Sequence, residues 1–125
     1  MKLPIEISII VRNVKITGSK GSAWVDLVFD PGAVFTVISW SVLKVIGYEP
    51  ATVLDHQEVI TANGVIKVPK LQVESITIDD VKAHNVDVIA HDIPELVGIR
   101  GLLGLSFLKH FKTVMNFREG YLEIQ

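Results

Sequence analysis

VDLVFDPGAVFTVIS, residues 25–39, decides how the rest of the chain is read. An apolar run climbs to Asp30, breaks at Pro31-Gly32 and resumes at Ala33. Val, Ile and Phe favour extended backbone, and a following proline keeps Asp30 extended as well. The stretch therefore predicts a strand over 23–29, a corner, and a second strand at Thr36-Val37-Ile38. Pro followed by Gly suits the centre of a type II turn. Taken alone, Asp30 is then a turn residue that hydrogen-bonds its own backbone. The other reading is a carboxylate between two hydrophobic segments, half of a catalytic pair.

The pattern on either side is also β. Ile5, Ile7 and Ile9 alternate with Glu6 and Ser8, predicting a half-buried strand that extends towards Val14-Lys15-Ile16. TGSKGS (17–22) is a turn. Ser39 is placed to cap a short helix, SWSVLKVIG, that ends at Gly47. EVITANGVIKV (58–68) has two β-rich arms around Asn63-Gly64, a strong hairpin signal. Residues 71–78 and 81–90 read as strands about Asp79-Asp80, and Pro94 and Gly98 mark a loop. GLLGLSFLKHF (101–111) changes period and predicts a short helix from near Ser106. Residues 113–117 and 121–124 form a terminal hairpin around Glu119-Gly120. The fold class is all-β, with 1–125 as a single domain.

With 49% hydrophobic and 21% charged residues, a chain of 125 residues can bury a real core. A net charge of −2 without runs of Lys or Arg argues against nucleic acid as a partner. Cys is absent, which excludes disulfides, cysteine zinc sites and a thiol nucleophile, and fits a reducing compartment. MKLPIEISIIVRN does not read as a signal peptide. No apolar run approaches the roughly 20 residues of a membrane helix. The expectation is a soluble, cytoplasmic protein with no membrane partner. His56, His84, His91 and His110 show no helical metal spacing, so neither metal nor cofactor is expected. His110 is expected at a helix C-terminus. Ser106 lacks the second glycine of a nucleophile elbow and reads as a helix cap. The glycines at 98, 101 and 104 lack a dinucleotide fingerprint, and Trp24 and Trp40 read as core or interface aromatics.

Three features in order change the odds on Asp30. They are DPGAVFTVIS (30–39), ITANGVIKV (60–68) and GLLGLSFLKHF (101–111). Together they resemble the retropepsins, the homodimeric aspartic proteases of retroviruses and their cellular relatives. The resemblance implies a small closed barrel with one or two short helices, homodimeric, with an extended polypeptide as substrate and no cofactor. Asp30 would be catalytic. Gly32 would let substrate backbone approach and would bond the Asp30 carboxylate through its N–H. Ala33 would line the cleft floor, and Gly104 would let its helix pack against the Asp30 loop. The hairpin at Ala62, Asn63 and Gly64 would close over the peptide as a flap.

The chemistry needs two carboxylates sharing one proton around one water. Asp26 is four residues before Asp30 on one strand, roughly 13 Å away at 3.3 Å per residue. No second apolar-Asp-x-Gly stretch occurs, and Asp55, Asp79, Asp80, Asp87 and Asp92 fall in turns or on polar faces. The second Asp30 must come from a second copy, placed by a two-fold axis.

The chain departs from the family at Pro31, where the usual residue is Thr or Ser. That hydroxyl bonds across the dimer axis, and proline has neither a hydroxyl nor an N–H. Val34 stands where retroviral members carry an acidic residue that grips substrate backbone. The expectation is a weak or conditional endopeptidase. The alternatives are a catalytically impaired dimer of the same fold that binds peptides, and a monomeric barrel in which Asp30 only turns the chain.

Overall fold

The computed structural model describes residues 1–5, 9–93 and 98–125. Ten strands and two short α-helices occur among the described residues. β1 (Lys2–Pro4) and β2 (Ile10–Gly18) are followed by β3 (Gly21–Phe29) and β4 (Thr36–Ile38). α1 (Trp40–Val45) and a 3-10 turn (Pro50–Thr52) lead to β5 (His56–Thr61), β6 (Gly64–Ile78) and β7 (Val81–Ala90). β8 (Ile99–Leu103), α2 (Leu105–Leu108), β9 (Thr113–Asn116) and β10 (Tyr121–Ile124) complete the chain.

The larger sheet runs β2-β3-β8-β4-β7-β6-β5, and β2 also pairs with β6, closing a ring. β3 with β8 and β4 with β7 are parallel, and the other pairs in the ring are antiparallel. The predicted all-β barrel is therefore present. Its interior is filled by Ile16, Leu27, Leu43, Ile76, Leu103 and Phe107, all fully buried. Burying a side chain of this kind is worth about 1.5–3 kcal/mol. Leu27 and Phe29 point inward while Asp26 and Val28 do not, the period-2 alternation of a half-buried strand. The predicted strand at 23–29 follows from it. A smaller sheet, β1-β10-β9, joins the two ends of the chain. No described helix is long and apolar enough to cross a membrane.

Several expectations are corrected. The N-terminal segment is two strands, β1 and β2, with Ile5 between them. Glu6, Ile7 and Ser8 of the predicted strand, and Pro94 of the predicted loop, lie outside the described residues. Residues 64–78 form one long strand, since buried Pro69 faces His56 at the start of β5 and is tolerated there. Residues 101–103 end β8, and only 105–108 are helical. Gly101 explains the strand: a Cβ there would lie 1.7 Å from the Val37 carbonyl oxygen, so glycine alone permits the β4–β8 contact. Phe117 falls outside β9. The Ser39 hydroxyl does not cap α1; instead Asp92 Oδ1 accepts the Trp40 N–H at 3.0 Å. Trp24 is 62% exposed on β3 and is not a core residue, whereas Trp40 packs half-buried against the core.

Candidate active site

Asp30 follows the last residue of β3, where Val28 and Phe29 pair with Leu102 and Leu103 of parallel β8. Its N–H donates to the Leu103 carbonyl at 3.0 Å, so the strand pairing itself sets its position. The Ala33 N–H donates to the Asp30 carbonyl at 3.1 Å, which closes a turn with Pro31 and Gly32 at its centre. The turn is not the expected type II, because Gly32 does not adopt the positive φ that type requires. Instead the Gly32 N–H donates to Asp30 Oδ1 at 3.0 Å. That bond leaves Oδ2 without a hydrogen-bond partner among the described residues. The carboxylate is half-buried, and Pro31 and Gly32 are exposed.

The corner is clamped from behind by α2. The Leu105 N–H donates to the Ala33 carbonyl at 2.8 Å and the Ser106 N–H to the Val34 carbonyl at 3.0 Å. Gly104 permits this approach, since a Cβ there would lie 2.6 Å from the Phe35 carbonyl oxygen and 2.8 Å from that of Ala33. Beneath the loop, Thr36 and Ser106 form a buried polar network. Ser106 Oγ accepts the Thr36 N–H at 2.8 Å, and the Ser106 hydroxyl donates to Thr36 Oγ1 at 3.0 Å. Thr36 Oγ1 also accepts the Gly104 N–H at 3.1 Å. Ser106 is therefore a brace between strand and helix and not the predicted helix cap. Buried hydroxyls are costly unless bonded in this way.

A cleft of about 600 Å³ lies between this corner and β5. Gly32 and Ala33 form part of its floor, and Phe35, Val37, Ile89 and Leu102 form apolar walls. Residues 57–61 of β5 line the other side. Ala62, Asn63 and Gly64 are not part of that lining. Ala62 and Asn63 make the two-residue turn, and Gly64, at φ 114°, is the first residue of β6. The β5 contribution was missed because its residues look like an ordinary hairpin arm. The signal available was alternation: Gln57, Val59 and Thr61 are the half-buried set in β5.

Asp26, the nearest acidic residue in sequence, is occupied elsewhere. It pairs with Arg12 at 3.1 Å and accepts the Asn13 N–H at 3.0 Å, holding the irregular stretch between Val11 and Val14 in β2. No cluster of three metal-binding side chains occurs among the described residues.

The profile of a family described as "gag-polyprotein putative aspartyl protease" matches residues 13–110. The chain belongs to this retropepsin-like family of aspartic proteases. A crystal structure of a retropepsin-like aspartic protease from Rickettsia conorii superposes with a TM-score of 0.67 at 19% identity, covering 100% of this chain and 97% of that one. At that identity the likeness is one of fold, and it extends over the small terminal sheet as well as the ring. A comparison with curated proteins finds no match. The retropepsin-like match spans both the Asp30 corner and Gly104.

Proposed function

We propose that the chain is an aspartic endopeptidase that works as a homodimer and cleaves an extended polypeptide. The observation that carries this reading is Asp30, positioned at a strand end by its bond to Leu103, with Gly32 on one oxygen and no partner among the described residues on the other, beside an apolar cleft. One chain supplies one such carboxylate, and a two-fold axis supplies the second. Two carboxylates that close share a proton, because both cannot ionise together. The ionised Asp30 takes a proton from the water, which attacks the peptide carbonyl carbon. The protonated Asp30 of the other copy donates to the carbonyl oxygen. Proton transfer to the amide nitrogen then releases the amine as the C–N bond breaks. Carboxylates and water suffice for every step, so the mechanism uses no cofactor.

The cleft walls favour apolar side chains in the bound peptide. The hairpin carrying Ala62, Asn63 and Gly64 acts as the flap, with residues 57–61 of β5 against the substrate. Pro31 withholds the cross-axis bonds, and a 1 Å misplacement of reacting groups can cost about a hundredfold in rate. The enzyme is therefore weak or conditional. Pro31 also favours the second reading, a dimer that binds peptides without cutting them. Peptide cleavage at mildly acidic pH separates the two. Cleavage by the wild type that disappears in Asp30→Asn supports the protease, and wild-type binding without cleavage supports the binding module. Cleavage that persists in Asp30→Asn removes Asp30 from the mechanism.

A further inference from the structure

Four strands of the ring bring one residue each into a single row. Leu102 of β8 faces Val37 of β4, Val37 faces Ile89 of β7, and Ile89 faces Lys70 of β6. Directly paired residues project from the same side of a sheet. The first three line the cleft, and Lys70 ends the row with a charge. The next residue after Leu102, Leu103, accepts the Asp30 N–H, so the row starts at the Asp30 corner. Neighbouring strands lie about 4.8 Å apart, which puts the Lys70 backbone roughly 14 Å from Leu102. That is the span of about four residues of an extended peptide.

Lys70 is half-buried, and its Nζ lies 5.0 Å from the centre of the Phe35 ring, another wall of the cleft. An ammonium over an aromatic face is held electrostatically, and its N–H groups remain able to donate. The one ion pair among the described residues is Arg12–Asp26, so Lys70 has no carboxylate partner there. Asp55 accepts the Lys70 backbone N–H with its carbonyl at 2.9 Å, but the residue itself is exposed. Glu58 is the acidic residue of the cleft lining, and it is exposed on β5 opposite Lys67. The apolar floor therefore ends in a positive charge that the fold positions through Phe35.

We infer that Lys70 is a specificity-determining residue, which receives the carboxylate of a Glu or Asp side chain of the bound peptide while the methylene stem of that side chain packs on Phe35. The inference rests on the peptide-cleft reading above and adds a substrate class to it. The substrates are extended polypeptides with an acidic side chain no more than about four residues from the scissile bond. The apolar walls discriminate by size, and Lys70 discriminates by charge, because an uncharged or basic side chain leaves the ammonium without a partner. A two-fold axis presents two copies of Lys70, so the preference falls at matched positions on both sides of the scissile bond.

A library of extended peptides carrying Glu, Gln or Lys at each position tests this. It is offered to the wild type for cleavage and to Asp30→Asn for binding alone. The expected result is a preference for Glu over Gln of about fivefold at one position and its mirror, shrinking at high salt. Lys70→Met should lose the preference, and Lys70→Glu should transfer it to Lys at the same positions. That transfer is a result that a purely structural role for Lys70 does not produce. Lys67→Met, on the exposed side of β6, should keep the preference for Glu. Cleavage with no preference for Glu, or a preference that survives in Lys70→Met, overturns the role of Lys70 and leaves the protease reading intact. Selective binding of Glu peptides by Asp30→Asn, lost when Lys70→Met is added, with no cleavage by the wild type, supports the role of Lys70 and removes the catalytic reading. Neither binding nor cleavage of any peptide overturns both.

Discussion

The Asp30 corner and the β5–β6 hairpin face each other across one cleft and are held in opposite ways. The corner is tied to distant parts of the chain: to β8 through the Asp30 N–H, to α2 through Ala33 and Val34, and to the buried Thr36–Ser106 pair. Among the described residues, the hydrogen bonds of the hairpin tip stay within the hairpin. The Thr61 hydroxyl donates to the Gly64 carbonyl at 2.9 Å and accepts the Asn63 N–H at 3.2 Å, while Ala62, Asn63 and Gly64 stand exposed. Ile60 and Val65, opposite each other near the tip, are 87% and 63% exposed. A segment held by few buried contacts opens at lower free energy than one braced from behind. The contrast suits a site in which the chemical group must not move and the cover must.

The largest break in that comparison is Asp30→Asn. It leaves the clamp in place and removes the acid–base group. Cleavage should fall by about a thousandfold, in the range that general acid–base groups contribute, with an unchanged melting temperature. Next is Thr36→Val, which leaves the Gly104 N–H and the Ser106 hydroxyl without their acceptor. An unmet buried group costs about 1–3 kcal/mol, so denaturant unfolding should show a loss of that size, with activity falling further as the corner loosens. If stability is untouched, the brace is not what holds the corner.

Pro31→Thr restores a hydroxyl and an N–H at the proposed axis. At about 0.5–1.5 kcal/mol for each bond regained, dimer dissociation measured by sedimentation should tighten about tenfold. Gly64→Ala acts on the hairpin alone. Nothing lies within 4 Å of a Cβ there, yet φ is 114°. Backbone strain of about 1 kcal/mol should alter the tip and raise KM for peptides, while the midpoint of global unfolding stays put. An equal loss of global stability would mean the hairpin is as firmly held as the corner. The smallest effect is on the far side of the barrel. Burial, then the nearby Glu74 charge, raises the Tyr48 pKa above 10.0. The neutral ring is favoured in the fold, so its contribution is complete below the unfolded pKa and is lost as pH rises through the folded one. Tyr48→Phe should remove that part of the alkaline stability loss.

Local pattern carried much of the reading. The apolar rise to Asp30, the hairpin around residues 62–64 and the terminal hairpin are contacts between near neighbours, and propensity and turn chemistry speak for those. Where two local signals competed, the tertiary structure chose. Pro-Gly alone permits a type II turn, but the corner instead turns the Gly32 N–H onto Asp30 Oδ1. Residues 58–68 and 71–78 read as separate β segments, yet the place of Pro69 opposite the start of β5 lets one strand run through. Ser106 looked like a cap because its partner, Thr36, is 70 residues away.

The sequence by itself determined that a lone acidic group ends an apolar strand, and that no second stretch like it exists in the chain. Those are facts of residue order, and they mean that this stretch of chain supplies one carboxylate of the pair that the proposed chemistry uses. Only the tertiary structure decided the parallel β3–β8 pairing that positions Asp30 and the closure of the ring through β2 and β6. The reason is that these depend on contacts between segments far apart in the chain, whose cost in loop entropy is recovered only when the whole core forms.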